Sequence, residues 1–156
     1  MTNGDANSGA TACDLEVVDR HGYRATCARR PFHAGEPVFT VTGPVTGVPT
    51  AYTIQVAAGC HVQPAAGRYV NHSCAPNCSF DSRARAFRAL RPIASGEEIT
   101  FDYNTTEREL AAPFRCRCGA GGCVGDIRGH RYLSDAQQQR LAPLTAAHLR
   151  HPPEDL

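Results

Sequence analysis

Glycine and proline break this chain too often for long helices or strands: 14 glycines and 11 prolines are spread through 156 residues. Proline lacks the N–H that a helix interior or a central strand needs, and glycine carries the largest conformational cost of ordering. Between these breaks, β-branched and aromatic residues gather in short runs, the pattern of brief strands joined by turns. Strands are predicted at residues 15–18, 23–28, 37–41, 52–56, 86–90 and 98–101. The one helix signal comes late. Ser134 can cap and Gln137, three residues on, can reach back, which opens a helix over residues 135–141 before Pro143 interrupts it. The chain reads as mainly β with a short C-terminal helix, and its length suits one core and one domain. The sequence has no αβ alternation and no glycine-rich loop opening a helix, which excludes a doubly wound nucleotide-binding fold.

Hydrophobic residues make up 42% of the chain, but charge interrupts every apolar run well short of the roughly 18 residues a membrane span requires. No membrane partner is expected. Residues 1–12 are small and polar, without the basic start and apolar stretch of a secretory signal, so the expected compartment is the reducing cytoplasm. A formal net charge of +1 gives no long-range field to draw in nucleic acid. Arg83, Arg85, Arg88 and Arg91 form a basic stretch, but aromatics to stack bases are scarce, and no nucleic-acid partner is expected.

In a reducing compartment clustered thiols more often hold metal than form disulfides, so the spacing of the eight cysteines becomes informative. Cys116, Cys118 and Cys123 lie in the run Cys-Arg-Cys-Gly-Ala-Gly-Gly-Cys, whose glycines let the chain turn tightly enough to aim several sulfurs at one point. A closed zinc site wants four ligands in a tetrahedron, and this run supplies three. Cys74, Cys78 and His130 are the candidates for the fourth, and spacing does not choose among them. Arg115 and Arg117 flank the first two thiols, where they could offset the charge of a thiolate site or simply face solvent. Two further clusters are dense in polar groups. Arg68-Tyr69-Val70-Asn71-His72-Ser73-Cys74-Ala75-Pro76-Asn77 could line a site or be an elaborate turn. Residues 94–104, Ala-Ser-Gly-Glu-Glu-Ile-Thr-Phe-Asp-Tyr-Asn, turn into a strand that ends on Tyr103.

Taken in order, the three clusters resemble the SET-domain family of protein lysine methyltransferases with its post-SET zinc segment. Residues 71–77 match the family's Asn-His-Ser-Cys-x-Pro-Asn motif, and residues 96–103 match its Gly-Glu-Glu-Leu-Thr-Phe-Asp-Tyr motif with Ile99 for leucine. The cysteine tail matches Cys-x-Cys-x₄-Cys, and the resemblance covers about residues 14–133. It implies a SET-domain fold of several short-stranded small sheets with a pseudoknot-like C-terminal part, a post-SET zinc loop and a short C-terminal helix. The implied division is a disordered tail over 1–12, a SET domain over 13–112, a post-SET segment over 113–133, a helical segment over 134–148 and a tail over 149–156.

The resemblance implies two cofactors, S-adenosylmethionine and zinc. Zinc would be held by Cys74, Cys116, Cys118 and Cys123. Tyr103 matches the active-site tyrosine, and Tyr52 lies where a second tyrosine commonly lines the lysine channel. Donor binding is expected at Tyr23, Arg24, Ala25, Arg68, Asn71, His72, Tyr103, Phe114, Cys116 and Arg117, with Asn71 and His72 holding its methionine end and adenine. The chain departs from the family where a Gly-x-Gly usually approaches the donor: Tyr23 and Ala25 stand there, and the Ala25 methyl would narrow that approach.

The implied reaction is in-line methyl transfer to a protein or peptide lysine, which needs alignment, exclusion of water and a neutral amine. An abbreviated insert over residues 57–66 fits a small-molecule acceptor as an alternative, and the altered Gly-x-Gly fits a non-catalytic zinc module. All sixteen basic residues are arginine. Codon bias accounts for this, as would protection of the enzyme from methylating its own side-chain amines.

Overall fold

Strand β1 (Leu15–Arg20) doubles back through His21 and Gly22 into β2 (Tyr23–Ala28), pairing from Leu15 against Ala28 to Arg20 against Tyr23. Both loop residues have positive φ, 52° and 91°, the geometry of a two-residue turn whose twist matches that of the strands. Beyond this hairpin lies a three-stranded antiparallel sheet with β3 (Pro37–Thr40), β9 (Ala86–Ala89) and β8 (Cys78–Asp81) side by side. A second sheet orders β4 (Val45–Thr46), β6 (Cys60–Val62) and β5 (Ile54–Ala57). The computed structural model describes residues 14–150. Cys13 and the tail expected over 1–12 lie outside the described residues, as does most of the tail expected over 149–156.

The core lies between these small sheets, and aromatic rings run through it in a chain. Phe39 stacks on Phe87 at 4.7 Å between centroids, Phe87 meets Phe101 at 4.5 Å, and Phe101 meets Tyr103 at 4.8 Å. Phe39 and Phe87 are fully buried. A line of packed rings therefore leads from the middle of the core to Tyr103.

Two segments far apart in sequence interlock beside that line. β7 (Asn71–His72) pairs in parallel with β10 (Thr100–Phe101), and Ser73 donates its N–H to the Phe101 carbonyl at 3.1 Å. Asn77 closes the clasp: its Nδ2 donates to the Glu98 carbonyl at 2.7 Å and its Oδ1 accepts from the Thr100 N–H at 2.8 Å. This crossing ties together the two segments that carry the motifs. After it come β11 (Phe114–Arg115) paired with β12 (Asp126–Ile127), then α1 (Asp135–Leu141) and α2 (Ala147–Arg150). Helix α1 has the expected bounds and a full capping box between Ser134 and Gln137.

Three expectations are corrected. Tyr52, expected inside a strand, sits in the turn before β5. Of residues 98–101 only Thr100 and Phe101 are in a strand, Glu98 making a single bridge to Cys27. Leu149, assigned to a solvated tail, is buried in α2 because the Ala146 N–H donates to the Thr105 carbonyl at 2.8 Å and draws the chain onto the core. Among the described residues no helix is long and apolar enough to cross a membrane. Replacing Phe87 by Ala removes the ring that joins Phe39 to Phe101. The expected loss is about 3–5 kcal/mol in chemical denaturation, whereas a loss below 1 kcal/mol would place the core elsewhere.

Candidate active site

A cavity of about 370 Å³ opens between the turn before β5, the segment 67–72 and the chain from Tyr103 to Phe114. Tyr52, Arg68, Asn71, His72, Tyr103 and Phe114, all named by the sequence, line it. Tyr23, Arg24, Ala25, Cys116 and Arg117 do not. Tyr103 opens a short 3₁₀ turn, Tyr103–Thr105, which begins because the Asp102 carboxylate accepts from the Asn104 N–H at 2.9 Å. The Tyr103 hydroxyl donates to the Val70 carbonyl at 2.6 Å. Burial, reinforced by the nearby Glu107 and Glu98 carboxylates, pushes its pKa well above the ordinary phenol value. It therefore stays protonated at neutral pH, with its oxygen lone pairs as the groups still on offer.

The mouth is aromatic and cationic. Arg68 lies over the Tyr52 ring at 4.5 Å and Tyr69 meets Tyr52 edge-on at 6.0 Å. Arg24 donates to the Tyr69 hydroxyl at 2.8 Å, and its carbonyl accepts from Asn71 Nδ2 at 2.9 Å. The same amide reaches Glu98 Oε2 at 3.0 Å, which leaves Oδ1 as the atom of Asn71 available to a ligand. Ala25 is 0% exposed, its methyl in the interior rather than on an open face where it could obstruct a ligand. The departure from Gly-x-Gly at this position thus costs no open space.

His72 lines the cavity with its ring buried. Its side chain is only 1% exposed. Nδ1 accepts from the Tyr103 N–H at 3.0 Å, and Nε2 faces Cys74 Sγ at 3.2 Å. Burial lowers its pKa to about 4, so the ring is neutral. With both ring nitrogens engaged, only the backbone of His72 is free to meet an adenine.

Beside this ring the sulfurs of Cys74, Cys116, Cys118 and Cys123 converge, all within 4.8 Å of one another. Cys74 and Cys116 are 3.9 Å apart, against about 3.8 Å for the edge of a tetrahedron with metal–sulfur bonds of about 2.3 Å. The donor set and its spacing fit zinc. Of the three candidates for the fourth position the structure brings Cys74 to the others, while Cys78 lies in β8 and His130 donates its backbone N–H to the Glu107 carbonyl at 2.9 Å. Leu110 and Ile127 pack beneath the sulfurs as a small core of their own. Arg115 pairs with Asp126 at 3.2 Å rather than with the thiols, and Arg117 is exposed.

One lining residue was not singled out by the sequence. Glu107 is buried on the cavity wall, where its carboxylate accepts from the Gln55 N–H at 3.0 Å and the Thr106 hydroxyl at 2.7 Å. Burial raises its pKa to about 7, and those two donors only partly offset the shift. The available signal was the polar run Asn104-Thr105-Thr106-Glu107 directly after the tyrosine, which reads as a surface loop until its burial is known.

Against known proteins, residues 43–104 match the family model of the SET domain. A methyltransferase of Aspergillus flavus, flvH, is 43% identical over 63 residues, covering 39% of this chain and 35% of that protein. An H3 lysine-36-specific histone-lysine N-methyltransferase of Yarrowia lipolytica is 34% identical over 151 residues, covering 81% of this chain and 19% of that protein. The crystal structure of KRYPTONITE in complex with mCHG DNA and SAH superposes with a TM-score of 0.55 at 25% identity, over 72% of this chain and 28% of that one. The architecture matches that of SET-domain methyltransferases, and the SET-domain match lies within residues 43–104. It spans about a third of flvH and about a fifth of the Yarrowia protein.

The clasp that presents Asn71 and Tyr103 hangs on Asn77, which is 2% exposed. Asn77→Ala would leave the Glu98 carbonyl and the Thr100 N–H without partners, at about 1–3 kcal/mol each. Urea denaturation should register a loss of at least about 2 kcal/mol, and an unchanged midpoint would show the clasp to be dispensable.

Proposed function

We propose that this chain is a methyltransferase that uses S-adenosylmethionine as donor and a lysine side-chain amine as acceptor. The observation that carries this reading is the cavity in which a permanently protonated Tyr103 hydroxyl, anchored on the Val70 carbonyl, faces the same space as Asn71, Tyr52 and Phe114. When bound, the donor supplies an electrophilic methyl on a sulfonium. The protein's part is positional. Asn71 Oδ1 and the backbone of His72 receive the donor, the aromatic rings of Tyr52, Tyr103 and Phe114 exclude water, and the Tyr103 oxygen orients the incoming amine. The similarity to SET methyltransferases, one of them specific for a histone lysine, supports the choice of donor and acceptor.

Zinc belongs to the same reading. Cys74, Cys116, Cys118 and Cys123 would hold it as a structural ion, tying the clasp to the segment after β11, and a reducing cytoplasm would keep these thiols available. A small-molecule amine is the second acceptor class. It is favoured by the short connection between β6 and β7, residues 63–70, which offers little wall for a peptide groove.

Incubation with labelled donor, a histone H3 peptide spanning lysine 36 and an amine-containing metabolite extract tests both acceptors, and absence of label in every fraction would refute the activity. Tyr103→Phe keeps the ring and removes one oxygen. Turnover should fall by roughly 10²–10⁴, the range for losing one positioned catalytic group, with donor affinity unchanged and stability lower by about 1–3 kcal/mol because the Val70 carbonyl loses its donor. A near-normal rate would remove Tyr103 from the chemistry. Metal analysis should return about one zinc per chain, fitting one four-ligand site. Cys74→Ser should lower that content and Cys60→Ser should not, so full retention in Cys74→Ser would end the assignment.

A further inference from the structure

Glu107 is an anomaly in a site whose chemistry asks for no acid. A carboxylate loses several kcal/mol of hydration on burial unless a cation or enough donors replace the water. Here the replacement is incomplete. Among the described residues the carboxylate has two neutral donors, the Gln55 N–H and the Thr106 hydroxyl, and neither arginine nor histidine pairs with it. The Glu107 charge in turn acts on the neighbouring Tyr103 phenol, whose pKa it helps to raise.

The surrounding chain holds Glu107 in this position. Its N–H donates to the Tyr103 carbonyl at 3.0 Å and its own carbonyl accepts from the His130 N–H at 2.9 Å. The next residue, Arg108, donates its N–H to Gln55 Oε1 at 2.9 Å. Gly129 lets the opposite strand approach: its φ is 121°, and a Cβ there would lie 2.5 Å from the Arg108 carbonyl oxygen. Backbone bonds on both sides thus fix a cation-less carboxylate on the wall of the cavity that also holds Tyr103.

We propose that Glu107 receives the acceptor's alkylammonium group in this cavity and takes its proton, generating the neutral amine that attacks the methyl donor. The inference rests on the methyltransferase reading above. An N–H bond of the ammonium breaks, the proton passes to a Glu107 oxygen, and the electron pair stays on nitrogen. That pair forms the new N–C bond while the donor's S–C bond breaks with its electrons remaining on sulfur. Glu107 then returns the proton to solvent. Tyr103 cannot take this role because its hydroxyl already donates to Val70 and its pKa is raised. The ligand chemistry is a primary alkylammonium, which a protein lysine and a small amine share.

The test compares wild type, Glu107→Gln and Thr106→Val. First, calorimetry with n-butylammonium and with neutral n-butanol reads recognition without any methyl transfer. Wild type should bind the cation at least tenfold more tightly than Glu107→Gln, while n-butanol binds both alike; equal cation binding would overturn the proposal. Second, kcat/KM is followed against pH with the histone H3 peptide and, in a separate arm, with free L-lysine, which distinguishes the two sources. In wild type it should rise with its midpoint near pH 7, the value to which Glu107 is shifted, and stay level above that toward the amine's own pKa of about 10.4. The sign follows because the ionised carboxylate is the active form. Glu107→Gln should lack the plateau and climb tenfold per unit until the free amine predominates. Thr106→Val removes a donor that stabilises the ionised form, so its limb should move to higher pH, which a purely structural Glu107 would not produce. Superimposable profiles for Glu107→Gln and wild type would sink the proposal. If no acceptor is methylated, the activity reading fails on its own, and the calorimetric comparison still decides whether Glu107 receives the cation.

Discussion

The parallel pair of Asn71–His72 with Thr100–Phe101 is only two residues long, yet the positions of Asn71, His72 and Tyr103 in the cavity trace back to it. Parallel ladders of that length have little stability of their own. Side chains hold this one: Asn77 bridges the Glu98 carbonyl and the Thr100 N–H, and the Phe101 ring closes on Phe87 in the core. Once Phe101 is fixed, Tyr103 two residues on has one place to go. Its N–H meets His72 on the partner strand and its hydroxyl meets Val70 just before that strand.

A second tie works from the other side. The chain after the Tyr103 turn is gripped by β5 through Gln55, whose N–H reaches Glu107 and whose Oε1 takes the Arg108 N–H. The segment around Gly129 covers its opposite edge, with Leu110 donating to the Arg128 carbonyl and Gly129 to Asn104 Oδ1. A stretch with no regular secondary structure is thereby made rigid. Rigidity here serves alignment, since a methyl transfer gains most from holding its reactants in line.

The motifs and the capping box of α1 could be read from the sequence because each depends on residues close together. Ser134 and Gln137 are three apart, and Asn71 to Asn77 form one turn. Two-residue strands such as Asn71–His72 and Asp126–Ile127 could not be read, since alternation needs more positions to register. Nor could side-chain direction. Ala25 looked like an obstruction beside a ligand, but the register of β2 turns its methyl inward. That the ring of the cavity-lining His72 points at Cys74 was likewise not legible. Glu107 escaped notice because a lone acidic residue in a polar loop has no local mark of burial; its environment is assembled from Gln55 and His130, one on each side in sequence.

The imidazole of His72 joins the two halves of the site. Because its Nδ1 accepts from the Tyr103 N–H, the ring proton is assigned to Nε2, which then points at Cys74 Sγ. Burial otherwise holds the Cys74 thiol well above the ordinary cysteine range, and this neutral donor meets the sulfur without adding a charge to the buried space. The same ring meets Tyr103 and Phe114 edge-on, at 5.3 Å and 5.7 Å. A shift of Cys74 would therefore be felt at the peptide that carries Tyr103 through one rigid ring. The cysteine cluster and the cavity are neighbours in this fold because one side chain needs both to satisfy its two nitrogens.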